Sequence, residues 1–273
     1  MPRAWEAEGA MTTLIKLGGS LVTDKRVAKS FRRDVVRQLV AQLASYFASG
    51  ERGPVVLGHG SGSFGHVLAR EYQTMQGVAG DSGRLGMARV GAVAAELSSL
   101  ILVELLAAGL PALRFPPSAL LMTRNRRIEA LETRPLQSAL EQGCLPLVHG
   151  DIALDSQVGG TIVSTEAVFA ALVEPLGVSE IILLGEVAGV LDVHGSVIPR
   201  IGPSAFPDLK KTLGGARGID VTGGMSHKVQ AMAELVARQP SLAITIADGR
   251  RDGILFDLLR HRHAIGTRIT ADD

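Results

Sequence analysis

The chain has 273 residues, with 28 Lys+Arg against 27 Asp+Glu and a formal net charge of +1. That balance excludes the broad basic footprint of a nucleic-acid binder, so any anion site has to be local. The single cysteine, Cys144, excludes an intramolecular disulfide, and no run approaches the roughly 18 uninterrupted apolar residues of a membrane helix. The expectation is a cytoplasmic chain with no nucleic-acid or membrane partner, of a size for one large α/β domain or two small ones.

Residues 1–11, MPRAWEAEGAM, read as a loose N-terminal extension, leaving 12–273 as one domain. TLIKLGGS (13–20) is a short apolar run ended by glycines, which predicts a buried strand entering a tight turn. Val36, Leu39, Val40, Leu43 and Phe47 recur at the spacing of one helix face, predicting a helix over 34–47. PVVLGHG (54–60) predicts the next strand, and a long helix over 88–110 is closed by Gly109 and Pro111. PALRF and LPLVHGDIAL (145–154) read as strands, with RPLQSALEQG helical between them. TIVSTEAVFAALVEPLG reads as strand into helix, and EIILLGEVAGVLD (180–192) as strand. A helix opening at VTGGMSHKVQAMAELVAR and a final strand, LAITIADG, complete the chain. This alternation predicts an α/β fold with a mainly parallel sheet covered on both faces, and a seam near Pro175 to Ser179.

In such folds ligands gather at the carboxyl ends of the strands. Three glycine turns occupy that position: Gly18-Gly19-Ser20, the turn opening Gly60-Ser61-Gly62, and Gly223-Gly224. Gly60, Gly62 and Gly65 form a formal G-x-G-x-x-G, but no second strand ending in an acidic residue follows it, which removes the dinucleotide reading. No Gly-Lys-Ser/Thr follows any of the turns, which removes the Walker A reading. Three lysines nevertheless lie beside glycine turns, Lys16 and Lys25 on either side of the first and Lys228 after the last. Any one of these reads as readily as a solvated surface lysine. Lys16, however, interrupts an apolar strand, where a charge is costly unless paired. Together with His66 the three lysines point to a polyanion, and positioning plus electrostatics is what phosphoryl transfer requires.

IKLGGSLVTDK (15–25), HGSGSFGH (59–66), AELSSLILVELLAAGLPA, HGD (149–151) and DVTGGMSHK (220–228) together resemble the amino acid kinase superfamily and, within it, the isopentenyl phosphate kinase branch. The resemblance covers nearly the whole chain. It implies a three-layer αβα sandwich, commonly homodimeric, with the phosphate acceptor held in about 12–177 and ATP in about 178–273. Lys16, Gly18, Gly19, Ser20 and Ser61 would line the ATP phosphates, with Lys228 and Gly224 holding them from the other side. Lys25 would neutralise charge on the transferred phosphoryl. Gly60, Gly65 and Thr165 would face the acceptor, Gly60 and Gly65 offering amides to its phosphate. His66 would hydrogen-bond that phosphate, while His59 would be scaffold.

Mg²⁺ would arrive on the nucleotide, with no metal ligands from the protein. Two departures from the family pattern stand out. Ser164-Thr165-Glu166 replaces Ser-Gly-Asp, with Glu166 able to supply the carboxylate at longer reach, and Gly185-Glu186-Val187-Ala188-Gly189 replaces Thr/Ser-Asp-x-Asp-Gly. Met75, Val78, Met87, Val90 and Val93 are candidates to line an isoprenoid cavity. A phosphonate kinase of the fosfomycin type and a nucleotide-sensing module without catalysis are the alternatives on the same fold.

Overall fold

A computed structural model describes residues 11–24, 26–50, 53–206, 209, 223–260 and 265–272. Lys25 and residues 1–10 lie outside the described residues. The elements run β1 (Thr12–Leu17), α1 (Gly19–Val22), α2 (Arg33–Ala48), β2 (Val55–His59), α3 (Gly62–Glu71), α4 (Gly80–Ala107) and β3 (Ala112–Arg114). There follow α5 (Pro117–Leu120), β4 (Leu121–Arg124), β5 (Arg127–Leu131), α6 (Arg134–Glu141), β6 (Leu145–His149), β7 (Asp151–Asp155), β8 (Gly159–Val163) and α7 (Thr165–Leu172). The last described elements are β9 (Val178–Gly185), β10 (Arg200–Ile201), α8 (Gly223–Arg238), β11 (Ala243–Asp248), α9 (Ile254–Leu259) and β12 (Thr267–Ile269).

Eight strands form the main sheet in the order β10-β12-β11-β9-β1-β2-β6-β3. Every pairing in it is parallel except β11 with β12. β1 is therefore central, and its carboxyl end lies level with those of β2, β9 and β11. Side chains alternate along it between two cores. Leu14, Val56, Val148, Ile181 and Leu183 join the cluster that includes Val168 and Phe169 of α7 and Val229 and Met232 of α8. Ile15, Leu17, Leu57, Leu147 and Ile182 join the cluster that includes Leu39 of α2, Leu97 and Ile101 of α4, and Ile254 of α9. Fully burying each such aliphatic side chain contributes about 1.5–3 kcal/mol, so this register is strongly determined.

The main sheet and its parallel character follow the sequence expectation, with three additions. LPLVHGDIAL is two strands in different sheets, since Gly150 separates β6 from β7 and β7 joins a four-stranded sheet in the order β5-β4-β7-β8. The β4–β5 hairpin in that sheet turns through Asn125 and Arg126, both at positive φ, and an arginine-rich LMTRNRR carries little strand signal. LAITIADG is not the last strand, because β12 pairs antiparallel beside it. The long helix also begins at Gly80 rather than near Ala88. Its glycine-rich start reads as loop, yet Gly86 is the residue that lets Tyr72 pack against the helix, since an added Cβ there would lie 2.5 Å from the Tyr72 Cβ. By length and composition α4 could cross a membrane. Here it serves as a core helix with Leu97, Ile101 and Leu105 fully buried, and it carries Arg89, Glu96 and Glu104.

Candidate phosphoryl-transfer site

The strand ends of β1 and β2 bring two glycine turns backbone to backbone. An added Cβ on Gly19 would lie 2.5 Å from the Gly62 nitrogen, and one on Gly60 would lie 2.7 Å from the Gly19 nitrogen. Gly62 also has φ +48°, a left-handed conformation that side chains disfavour. Thr23, fully buried, ties the turns together: its hydroxyl donates to the Gly19 carbonyl at 2.7 Å and accepts from the Ser63 amide at 2.9 Å. The amides of Leu21 and Val22 return to the Gly18 carbonyl. Those of Gly19, Ser20, Ser61 and Gly62 find no acceptor among the described residues, and all four residues line the same cavity. Unpaired amides at a turn are what an anion needs.

The Gly60 amide is engaged instead, donating to the Leu17 carbonyl at 2.9 Å. Gly60 therefore serves the turn through its missing side chain, and the amides expected of it are supplied by Ser61 and Gly62. Thr165 lines the cavity too, but its hydroxyl donates to the His59 carbonyl at 2.6 Å and so ties α7 to β2. Gly65 packs its Cα close to Ser61, where a Cβ would lie 2.9 Å from the Ser61 Cβ. His66 is carried by α3, and its side chain is outside the described part of the structure.

Above these turns stands an ion group. Lys16 shares the face of Leu14 and reaches the Glu166 carboxylate at the start of α7, and Lys228 of α8 lies 3.8 Å from the same oxygen. Burial lowers the Lys16 pKa, with Lys228 adding repulsion and Glu166 opposing both. Burial alone would raise the Glu166 pKa, but Lys16 and Lys228 outweigh it and hold the carboxyl below its ordinary value. Glu166 thus holds two cations together on one carboxylate, at the boundary between the turns and the far wall.

The cavity around this group measures about 870 Å³. One end is lined by Gly185, Glu186, Val187, Met225, Ile246 and Arg250. Its rim is tied by Arg32 to Glu186 at 2.5 Å and by the Arg250 guanidinium, which donates to the Glu186 carbonyl at 2.9 Å while gripping Asp248. The other end is apolar, formed by Ala69, Met75, Val90, Ala94 and Ile162, with buried Asp151 beside them. Of the expected tail residues, Met75 and Val90 line the cavity. Val93 belongs to the core, and Val78 and Met87 pack against Gly160.

Gly224 lies in the first turn of α8. Among the described residues no three His, Cys, Asp or Glu side chains cluster as a cation site, and Glu166 is engaged by lysines. Thr23, Arg32 and Arg250 had no signal in sequence, because a single hydroxyl or guanidinium acquires a role only from its distant partner.

The family model described as the amino acid kinase family matches residues 11–246. The isopentenyl phosphate kinase of Haloferax volcanii is 35% identical over 230 residues, which is 82% of this chain and 88% of that protein. That of Methanocaldococcus jannaschii is 27% identical over 229 residues, 80% of this chain and 85% of that protein. Among solved structures, one titled as X-ray structures of isopentenyl phosphate kinase superposes with a TM-score of 0.77 at 28% identity, covering 94% of this chain and 100% of that one.

Proposed function

Because the chain belongs to the amino acid kinase family, we propose that it transfers the terminal phosphoryl group of ATP to isopentenyl phosphate, giving isopentenyl diphosphate and ADP. The observation that carries this reading is the Lys16–Glu166–Lys228 group beside two turns of unpaired amides, with an apolar wall at one end of the same cavity. The similarity to isopentenyl phosphate kinases supports the choice of acceptor.

In this reaction an oxygen of the acceptor phosphate forms the new bond to phosphorus as the bond to the leaving ADP oxygen breaks. ATP, with Mg²⁺ on its phosphates, supplies the phosphoryl group. The protein positions and neutralises. The amides of Gly19 and Ser20, with Lys16 and Lys228, would hold the nucleotide phosphates; Ser61, expected there from the resemblance, lies with Gly62 in the other turn and would instead, with His66, hold the acceptor phosphate. Lys25 would meet the transferred group. No general base is needed, since a phosphate monoester is already ionised near neutral pH. Glu166 offsets the repulsion between buried Lys16 and half-buried Lys228, so the charge that stabilises the transition state is in place beforehand. Met75, Val90, Ala94 and Ile162 would take the hydrocarbon tail, whose burial contributes about 25 cal/mol per Å².

On this reading the enzyme works in the cytoplasm as a homodimer. Val103 and Leu106 on α4, with Leu113 on the edge strand β3, form exposed apolar surface that a second copy would cover. The test is an ADP-release assay with isopentenyl phosphate, dimethylallyl phosphate and fosfomycin side by side. Turnover on the isoprenoid phosphates supports the reading. Preference for fosfomycin would move the chain to a phosphonate kinase, and ATP binding without turnover on any acceptor would make it a sensor.

A further inference from the structure

His59 ends β2 directly beneath the Gly60–Gly62 turn and is 1% exposed. Three contacts converge on it. Its carbonyl accepts from the Thr165 hydroxyl at 2.6 Å and from the Gly150 amide at 3.4 Å, joining β2 to α7 and to the β6–β7 junction. Its ring Nδ1 lies 3.1 Å from the Gly60 carbonyl oxygen. A carbonyl can only accept, so the imidazole carries its proton on Nδ1. His149, its register partner on β6, packs against the ring edge to face, with centroids 5.2 Å apart at 67°.

The bond to Gly60 has a stereochemical consequence one atom further along. The Gly60 carbonyl and the Ser61 N–H belong to one peptide group, and in a planar trans peptide the two point in opposite directions. The described chain has no cis peptide. Pulling the Gly60 oxygen down onto His59 therefore turns the Ser61 N–H up, away from the sheet. Ser61 lines the cavity, and its amide finds no acceptor among the described residues. The Gly60 amide, held to Leu17, fixes the other side of the same turn.

We propose that His59 is a positioning residue: it holds the Gly60 carbonyl so that the Ser61 amide is aimed at the phosphate of the acceptor. This rests on the proposed function, and it gives a role to a histidine that touches no reactant.

The position of the donor on the side chain supplies the test. In Asn the amide nitrogen is bonded to Cγ, as Nδ1 is in histidine, whereas in Gln it lies one bond further out. Steady-state kinetics would be measured for wild type, His59→Asn, His59→Gln and His59→Leu, varying isopentenyl phosphate and ATP separately. One lost hydrogen bond to a charged group corresponds to about tenfold or more in affinity, so His59→Gln and His59→Leu should raise KM for the acceptor by about that factor. KM for ATP should stay within about twofold, and His59→Asn should return the acceptor KM to near wild type.

Should His59→Leu not fold, the Asn and Gln variants carry the comparison alone. Equal effects of Asn and Gln, or parallel rises in both KM values, would overturn the proposal. A second readout is the ¹⁵N–¹H resonance of Ser61 on adding isopentenyl phosphate without ATP. It should shift in wild type and His59→Asn but not in His59→Gln, and a shift of the same size in all three would also overturn the proposal. A wild-type enzyme that binds isopentenyl phosphate at Ser61 but shows no turnover would refute the proposed reaction and leave the role of His59 standing.

Discussion

Replacing Glu166 by Gln removes one negative charge from between two cations while keeping the shape and one acceptor oxygen. The Lys16 side chain is 11% exposed and that of Glu166 19%, so water replaces little of what is lost. At an effective dielectric near 20, an ion pair about 4 Å apart is worth ~4 kcal/mol, and Glu166 holds two. Breaking a buried pair from one side costs about 3–5 kcal/mol. The remaining acceptor oxygen and the open mouth of the site put this case at the low end, about 3 kcal/mol, or a fall in Tm of roughly 6–12 °C for a chain of this size.

The electrostatic consequence has a definite sign. Burial and Lys228 already lower the Lys16 pKa, and Glu166 is the group opposing them. Without it the pKa falls further, so Lys16 loses its proton at a lower pH and activity declines earlier on the alkaline side. The assay is kcat/KM for ATP from pH 6 to 9.5, alongside thermal melts. A Glu166→Gln enzyme whose alkaline limb and Tm both match wild type would refute the reasoning.

Thr23→Val should cost about 1–3 kcal/mol, since the Ser63 amide and Gly19 carbonyl lose a buried partner, and should raise KM for both substrates because the hydroxyl joins both turns. Urea unfolding and separate KM values check this, and an unchanged KM for either substrate counts against the shared-turn reading. Gly62→Ala combines positive φ with overlap of the Thr23 hydroxyl and should cost at least about 1–3 kcal/mol, with acceptor binding hit harder than ATP binding; calorimetry with each substrate would expose equal losses. Acid stability should depend on the two buried imidazoles. Burial pushes His59 down to about 3, with His149 beside it, and burial also lowers His149. An unfolded imidazole binds a proton near pH 6.5 while the folded ones stay neutral, so stability falls as pH drops below 6.5. For His59 the loss continues to about 3. Between pH 7 and 5.5 His59 contributes about 1 kcal/mol to that loss, and His149 adds to it in the same direction. Urea unfolding at both pH values measures it, and His59→Asn with an undiminished loss would contradict the assignment.

Much of the site was legible in sequence because its parts are local. Lys16 in an apolar strand, glycines directly after strands, and a lysine in the first turns of α8 are patterns that each lie within one short segment. What escaped was pairing across the fold. Glu166 meets Lys16 over 150 positions, a pairing that only the family resemblance pointed to, and Thr23 meets Ser63 over forty with no signal at all. The small sheet escaped too, because its hairpin turns at two non-glycine residues with positive φ, a conformation that sequence rarely signals. Gly60 shows the limit of motif reading, since its amide is taken by Leu17 and its neighbours present theirs instead.

The amino-acid sequence by itself determined most of the helices and the inner strands of the main sheet, that this sheet is largely parallel, and that glycine turns, two of them with lysines beside them or close after, lie at strand ends and a helix start. These follow from hydrophobic periodicity and from the conformational freedom of glycine, both properties of short segments. Tertiary structure decided which amides face the cavity, that one carboxylate holds two lysines, and that His59 sits beneath the turn. Those depend on directions and distances between segments far apart in the chain, which exist only once the sheet has brought β1, β2 and α7 together.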